Sequence, residues 1–168
     1  MSVTYALLVI GHIVGTVLGA GAATFAEILH MRAMRDGVVD VQEGETLKVV
    51  YRVLRIGLFI AILTGFAFLL DFRFISDHAD RLYSAKLWAK MTIVLLIPLN
   101  ALLLQTHRIP FWLGSALSLS AWYGAIILGV FRGIPYSYFE IMGMFAVAVL
   151  IMAVVLEAIR RAYFKMHL

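Results

Sequence analysis

The sequence predicts an all-α integral membrane bundle of five transmembrane helices. Of the 168 residues, 63% are hydrophobic and 14% are charged, whereas soluble domains carry roughly 45–50% and about 25%. A globule of this size has too little interior to bury so much apolar surface in water. The lipid bilayer is therefore the predicted surroundings of most of the chain.

The apolar residues fall into five segments, each long enough to cross a hydrocarbon core of about 30 Å with roughly 20 helical residues. The runs are too continuous to alternate as the strands of a porin wall do. Short connections predict that neighbouring helices pack antiparallel in a single domain, residues 1–168. Thr46 is predicted to cap the second helix. The predicted spans are Tyr5–Met31, Leu47–Leu70, Tyr83–Leu104, Phe111–Phe131 and Tyr136–Ile159.

Several function classes are excluded by composition. The chain has no cysteine, which rules out disulfides, thiolate metal sites and thiol catalysis. The net charge is +4, but the membrane composition argues against a nucleic-acid partner. No glycine-rich phosphate loop, Ser-His-Asp order or zinc motif is present.

The basic residues predict the orientation of the bundle, because cytoplasmic loops are enriched in Lys and Arg. The N-terminus is expected outside and the C-terminus in the cytoplasm. The poorer, outer side carries Arg73, Arg81 and Arg132. The richer side carries Arg32, Arg35, Lys48, Arg52, Arg55, Arg108, Arg160, Arg161 and Lys165.

The first predicted helix carries two histidines and a series of small residues spaced by four. His12 and His30 are eighteen residues apart, or five helical turns, so both lie along one line. Gly15 and Gly19 fall on nearly the same face. One interpretation is close helix packing through small-xxx-small contacts. The other is a groove for a flat macrocycle, with His12 as axial ligand and the glycines giving the ring clearance.

The third predicted helix brings two lysines into the outer half of the membrane. Lys86 and Lys90 are one turn apart, and Lys90 is expected at a depth similar to that of His12. Snorkelling toward the interface explains Lys86 better than Lys90. Together the two lysines predict an electropositive outer pocket for propionates or another anion. His107 lies near the inner end, where a second bis-His site with His30 is conceivable.

A different polar group is expected at the inner side, where Glu27, Arg52, Glu157 and Arg160 converge with His30. Ion pairing at the membrane boundary is the favoured interpretation. A di-iron site would need two Glu-x-x-His motifs and two further glutamates, and the chain has one such motif. A copper site is a further alternative, with ligands His30, Met31 and Met34.

The first three helices together resemble a superfamily of small bacterial membrane bundles. It includes the heme-containing membrane protoporphyrinogen oxidase and the copper resistance protein D family. The resemblance covers residues 5–105, and its short apolar motifs are GHIVGTVLGAGA, YRVLRIGLFIAILTGFAFLL and LYSAKLWAKMTIVLLIPLNALL. It implies the bacterial inner membrane, heme b as cofactor, and His12 and Lys86 as the residues tied to heme binding. The oxidase's aromatic-rich approach to the first histidine is missing.

Three functional hypotheses remain open. The first is a b-type heme protein with a redox role, in which a porphyrinogen is oxidised and electrons pass to a quinone. In it Lys86 or Lys90 is the second iron ligand or a propionate partner. The second is a small proton-coupled transporter using the inner polar residues, although interrupted helices are lacking. The third is a non-catalytic subunit or assembly factor of a larger membrane complex or homo-oligomer.

Overall fold

The computed structural model describes residues 3–33, 38, 40–75, 79–131 and 135–165. Within these ranges each of five α-helices is long and apolar enough to cross a membrane. The predicted multi-pass helical membrane protein is therefore confirmed at that level. A short 3-10 helix (Ala79–Tyr83) precedes the third α-helix. The α-helices are α1 (Val3–Ala33), α2 (Val41–Phe74), α3 (Ala85–Gln105), α4 (Phe111–Val130) and α5 (Tyr138–Lys165).

The second helix begins before its predicted apolar span, because a capping box precedes the membrane segment. The Asp40 side chain accepts a hydrogen bond from the Glu43 amide, and the Glu43 carboxylate accepts one from the Asp40 amide. The expectation that Thr46 caps this helix is wrong. Thr46 lies inside α2 and donates its hydroxyl to the Gln42 carbonyl.

Helix α4 is the centre of the bundle and packs against α1, α3 and α5. Its buried residues include Ala116, Ala121 and Trp122. Helix α2 packs mainly on α1, and within it only Leu47 and Gly57 are buried. Its exposed apolar side chains, among them Phe59, Leu63 and Phe66, are therefore available to lipid.

Small residues allow α1, α2 and α4 to approach one another closely. A Cβ added to Gly57 would lie 2.5 Å from the Gly19 amide nitrogen, and one added to Gly15 would lie 2.7 Å from the Ala61 amide nitrogen. A Cβ on Gly19 would overlap the Trp122 ring. The backbones thus meet at positions that tolerate no side chain, as in other small-residue membrane interfaces.

Two ends of the bundle carry its polar groups. The start of α1, the end of α2, the start of α3 and the end of α4 lie together, and we call this the Lys86 end. The opposite end, where Glu27 of α1 meets Arg160 of α5, is the Glu27 end. Among the described residues, the Lys86 end carries a group of cationic side chains, whereas the Glu27 end carries an ion pair.

Candidate functional site

The imidazole of His12 is held in one tautomer by a neighbour on α2. His12 Nδ1 lies 2.9 Å from Thr64 Oγ1, and Thr64 donates its own hydroxyl hydrogen to the Ile60 carbonyl at 2.7 Å. With the Thr64 hydroxyl donating to Ile60, the contact with His12 is satisfied by the tautomer that carries its hydrogen on Nδ1, and we assign that tautomer. Nε2 then carries the lone pair, which is the arrangement of a histidine prepared to ligate a metal.

The surroundings of His12 are aromatic on one side and cationic on another. The Phe68 ring stands edge-to-face to the imidazole, with centroids 5.7 Å apart, and Tyr5 packs edge-to-face on Phe68 at 5.6 Å. Lys90 is near enough to act electrostatically on the His12 ring.

Both lysines lie beside the C-terminal end of α4. Lys86 Nζ donates a hydrogen bond to the Phe131 carbonyl, and a Cβ built on Gly129 would lie 3.6 Å from Lys90 Nζ. The last carbonyls of a helix carry partial negative charge. The end of α4 therefore holds the Lys86 ammonium, and the Lys90 ammonium lies beside the same end.

A cavity of about 650 Å³ opens at the Lys86 end, and we call it the cationic cavity. Arg81, Lys86 and Lys90 give it three positive side chains, and Ser84 adds a hydroxyl. Its apolar walls include Tyr5, Phe72 and Leu128. Such a lining suits an amphipathic ligand with carboxylates at one edge. His12 is not part of the cavity wall. Lys90, which lines the cavity, acts electrostatically on the His12 ring.

Arg81 is the member of this group that sequence reasoning missed as a site residue. It was assigned only to the outer loop charges, yet the 3-10 helix before α3 carries it into the cavity wall. Its guanidinium lies 5.3 Å from the Phe72 ring centroid, a distance typical of a cation–π contact. In the sequence, the indication that Arg81 belongs to this group was that it lies five residues before Lys86.

The space beside Gly15 and Gly19 is filled by the protein itself. The backbone of α2 lies against Gly15, and the Trp122 ring lies against Gly19. A ring beside either glycine would require α2 or Trp122 to move. The small-residue packing interpretation accounts for both positions.

The Glu27 end contains a buried ion pair. Glu27 Oε1 lies 2.5 Å from Arg160 Nη2, with side-chain exposures of 7% and 14%. The Arg160 guanidinium also lies 5.4 Å from the Phe111 ring centroid, and His30 stacks on the same ring at 3.9 Å. The contact between Glu27 and Arg160 agrees with the ion-pairing interpretation of this end.

The other polar residues predicted for this end are more exposed. Glu157 pairs with Arg161 at 2.7 Å, and Arg52 is exposed. His107 is exposed in the α3–α4 connection, at a φ of 53°. Across the described ranges, no group of three or more His, Asp or Glu residues could share a metal ion. The copper alternative includes Met34, and the predicted orientation includes Arg35 and Arg132; these three lie outside the described residues.

Comparison of the chain with known protein families, curated protein sequences and solved structures found no match. The class is therefore defined by the fold and the site. The chain is a multi-pass helical membrane protein with a cationic cavity at one end and an oriented histidine nearby.

Proposed function

We propose that this chain is a heme-binding protein of the bacterial inner membrane with a redox role. In the proposal His12 ligates the iron of heme b, and the cationic cavity receives the propionates. The observation that carries it is the hydrogen-bond chain from His12 through Thr64 to Ile60. In the assigned tautomer Nε2 carries the lone pair and would be the ligand atom, as is usual when a hydrogen-bond partner orients a metal-binding histidine.

The described residues fit such a group best at its propionates. The propionates need cations, which Arg81, Lys86 and Lys90 supply at one wall. The cavity also has apolar walls, but His12 is not among its lining residues, so in this proposal the ring would extend from the cavity toward His12 on α1. When bound, heme supplies one-electron chemistry at iron.

Both lysines are assigned to the propionate side in this proposal. A lysine ligates iron only as the neutral amine, and Lys86 is engaged with the Phe131 carbonyl at the negative end of α4. Because this contact already engages the Lys86 amine, we assign Lys86 to the propionate side rather than to iron. Lys90 also lines the cavity and acts electrostatically on the His12 ring, and we assign it to the propionates as well. A porphyrinogen substrate and a quinone acceptor belong to the same proposal.

The test is an absorption spectrum of protein produced with ample heme. Wild type is expected to show a Soret band with stoichiometric heme, and His12→Ala is expected to lose or shift it. His107→Ala is the matched control, because His107 is exposed in the α3–α4 connection and lies outside the cationic cavity. A wild-type protein without a Soret band in either redox state would overturn the proposal.

A further inference from the structure

Helix α2 carries three cations along one of its faces. Lys48, Arg52 and Arg55 are spaced by four and then three residues, so they fall on the same side of the helix, and all three are exposed. Exposed apolar side chains continue the same strip, which is about 80° wide. We call the whole strip the Arg52 face, and its apolar members are Phe59, Ile62, Phe66 and Leu70.

The Arg52 face points away from the helix on which α2 packs. Gly57 and Thr64 lie on the opposite side of α2, and both contact α1. The Gly57 backbone approaches Gly19 so closely that an added Cβ would lie 2.5 Å from the Gly19 amide nitrogen, and Thr64 meets His12. Because α2 packs mainly on α1, the Arg52 face is turned toward the surrounding lipid.

Two of the three cations lack a counter-charge among the described residues. There, neither Arg52 nor Arg55 forms an ion pair or a side-chain hydrogen bond. Lys48 pairs with Glu45 at 2.7 Å, but the two side chains are 71% and 65% exposed, and such a surface pair is weak. The guanidinium groups are therefore available to an anion, and each can hold a phosphate through two parallel hydrogen bonds.

The length of the uncharged run in α2 places these cations at the membrane surface. No charged residue lies between Arg55 and Asp71, which are sixteen residues apart, or about 24 Å along the helix axis. The hydrocarbon core is about 30 Å thick. Arg55 therefore lies at the boundary of the core, from which its long side chain reaches the headgroups. Arg52 and Lys48 follow within about 10 Å of helix axis.

We propose that the Arg52 face binds an anionic phospholipid, whose phosphate contacts Arg52 and Arg55 while its acyl chains lie along Phe59 and Phe66. Charge complementarity selects the headgroup. Phosphatidylglycerol brings a net negative charge, whereas the choline of phosphatidylcholine adds a positive charge to a face that already has three. Basic side chains next to a membrane helix are attracted to anionic lipid in this way. This binding is independent of the proposed heme function.

The experiment measures which lipid lies beside the Arg52 face when the full chain is held in nanodiscs. Because the sequence has no cysteine, Leu63→Cys carries a single bimane fluorophore at an exposed position next to this face. The nanodiscs contain equal amounts of phosphatidylglycerol and phosphatidylcholine, and the acyl chains of one or the other are brominated to quench the label. Phosphatidylglycerol is expected to be enriched roughly 3- to 10-fold at the label.

The enrichment should depend on the two arginines and not on the total charge of the protein. Arg52→Gln/Arg55→Gln is expected to abolish it. The matched control is Arg161→Gln/Lys165→Gln, which removes the same charge from exposed positions at the end of α5 and should retain it. Should the variant of the Arg52 face fail to fold, as its thermal unfolding would reveal, a second label position still decides the matter.

The second label is placed by Leu95→Cys on α3, which is also exposed and lies outside the Arg52 face. It is expected to show little enrichment of phosphatidylglycerol. Equal quenching by the two brominated lipids at Leu63, or the same enrichment at Leu63 and Leu95, would overturn the proposal. So would an enrichment at Leu63 that Arg52→Gln/Arg55→Gln leaves unchanged.

Discussion

Individual polar side chains in this bundle join helices in pairs. His12 and Thr64 link α1 to α2, the Asn100 amide donates to the Gly114 carbonyl across α3 and α4 at 2.8 Å, and Glu27 holds Arg160 of α5. Within a membrane no water reaches such groups, so they must find partners in the protein. Each pair therefore fixes the relative position of two helices.

The buried ion pair should matter more than its exposed neighbour. Glu27→Gln leaves the Arg160 charge without a counter-charge, and we expect a loss of about 3–5 kcal/mol in the free energy of unfolding. Glu157→Gln is the matched control, because its pair with Arg161 is 46% and 79% exposed and is worth only about 0–1 kcal/mol. SDS-induced unfolding in mixed micelles measures both. Equal losses in the two variants would contradict a structural role for Glu27.

The cationic cavity should distinguish heme by its carboxylates. Wild type is expected to bind heme about 10-fold more tightly than heme dimethyl ester, which has no anionic group for Lys90 to meet. Lys90→Met should lose most of this preference by weakening heme binding while leaving ester binding nearly unchanged. Spectral titration of heme-free protein with each compound gives the four affinities. A preference unaffected by Lys90→Met would remove the lysine from the propionate site.

At this scale the sequence predicted the electropositive group of Lys86 and Lys90, since their spacing on one helix is enough to place them together. It also predicted polar residues meeting at the Glu27 end. It did not place Arg81 in the cavity, because the course of the chain before α3 is not periodic. Nor could it say what faces Gly15 and Gly19, because a small-residue face is compatible with a neighbouring helix or a ligand.

Helix α1 is the element on which the arrangement depends. Its glycine face meets α2 and the Trp122 ring of α4, while His12 and Glu27 on the same helix reach Thr64 and Arg160. The five spans were predictable from hydropathy. The start of α2 was not, because its capping box at Asp40 and Glu43 lies in a polar segment before the membrane run.

The contact between α1 and α2 should tolerate no added methyl group. Gly57→Ala places a Cβ 2.5 Å from the Gly19 amide nitrogen, and we expect a loss of about 1–3 kcal/mol from overpacking. Gly143→Ala adds its Cβ in open space and should be neutral or stabilising by up to about 1 kcal/mol. Thermal unfolding in detergent compares the two. A Gly57→Ala protein as stable as wild type would mean that the helices are not this close.

In the whole molecule, the fold is predictable from hydropathy, whereas the site depends on which helices pack together. The distribution of basic residues predicts a cytoplasmic C-terminus. The absence of native cysteine makes this orientation directly measurable by single-cysteine labelling. With a membrane-impermeant maleimide on intact cells, Tyr136→Cys before α5 should react, and Glu45→Cys in the first turns of α2 should react only after lysis. The reverse pattern would invert the predicted topology.

The most direct test of the central claim is chemical rescue of the His12 ligand. A His12→Gly protein reconstituted with heme is expected to lack the wild-type Soret band and to regain it when imidazole is added, because free imidazole can replace the missing side chain at iron. His107→Gly should show the wild-type spectrum with or without imidazole. A His12→Gly protein that binds heme with an unchanged spectrum in the absence of imidazole would contradict the account.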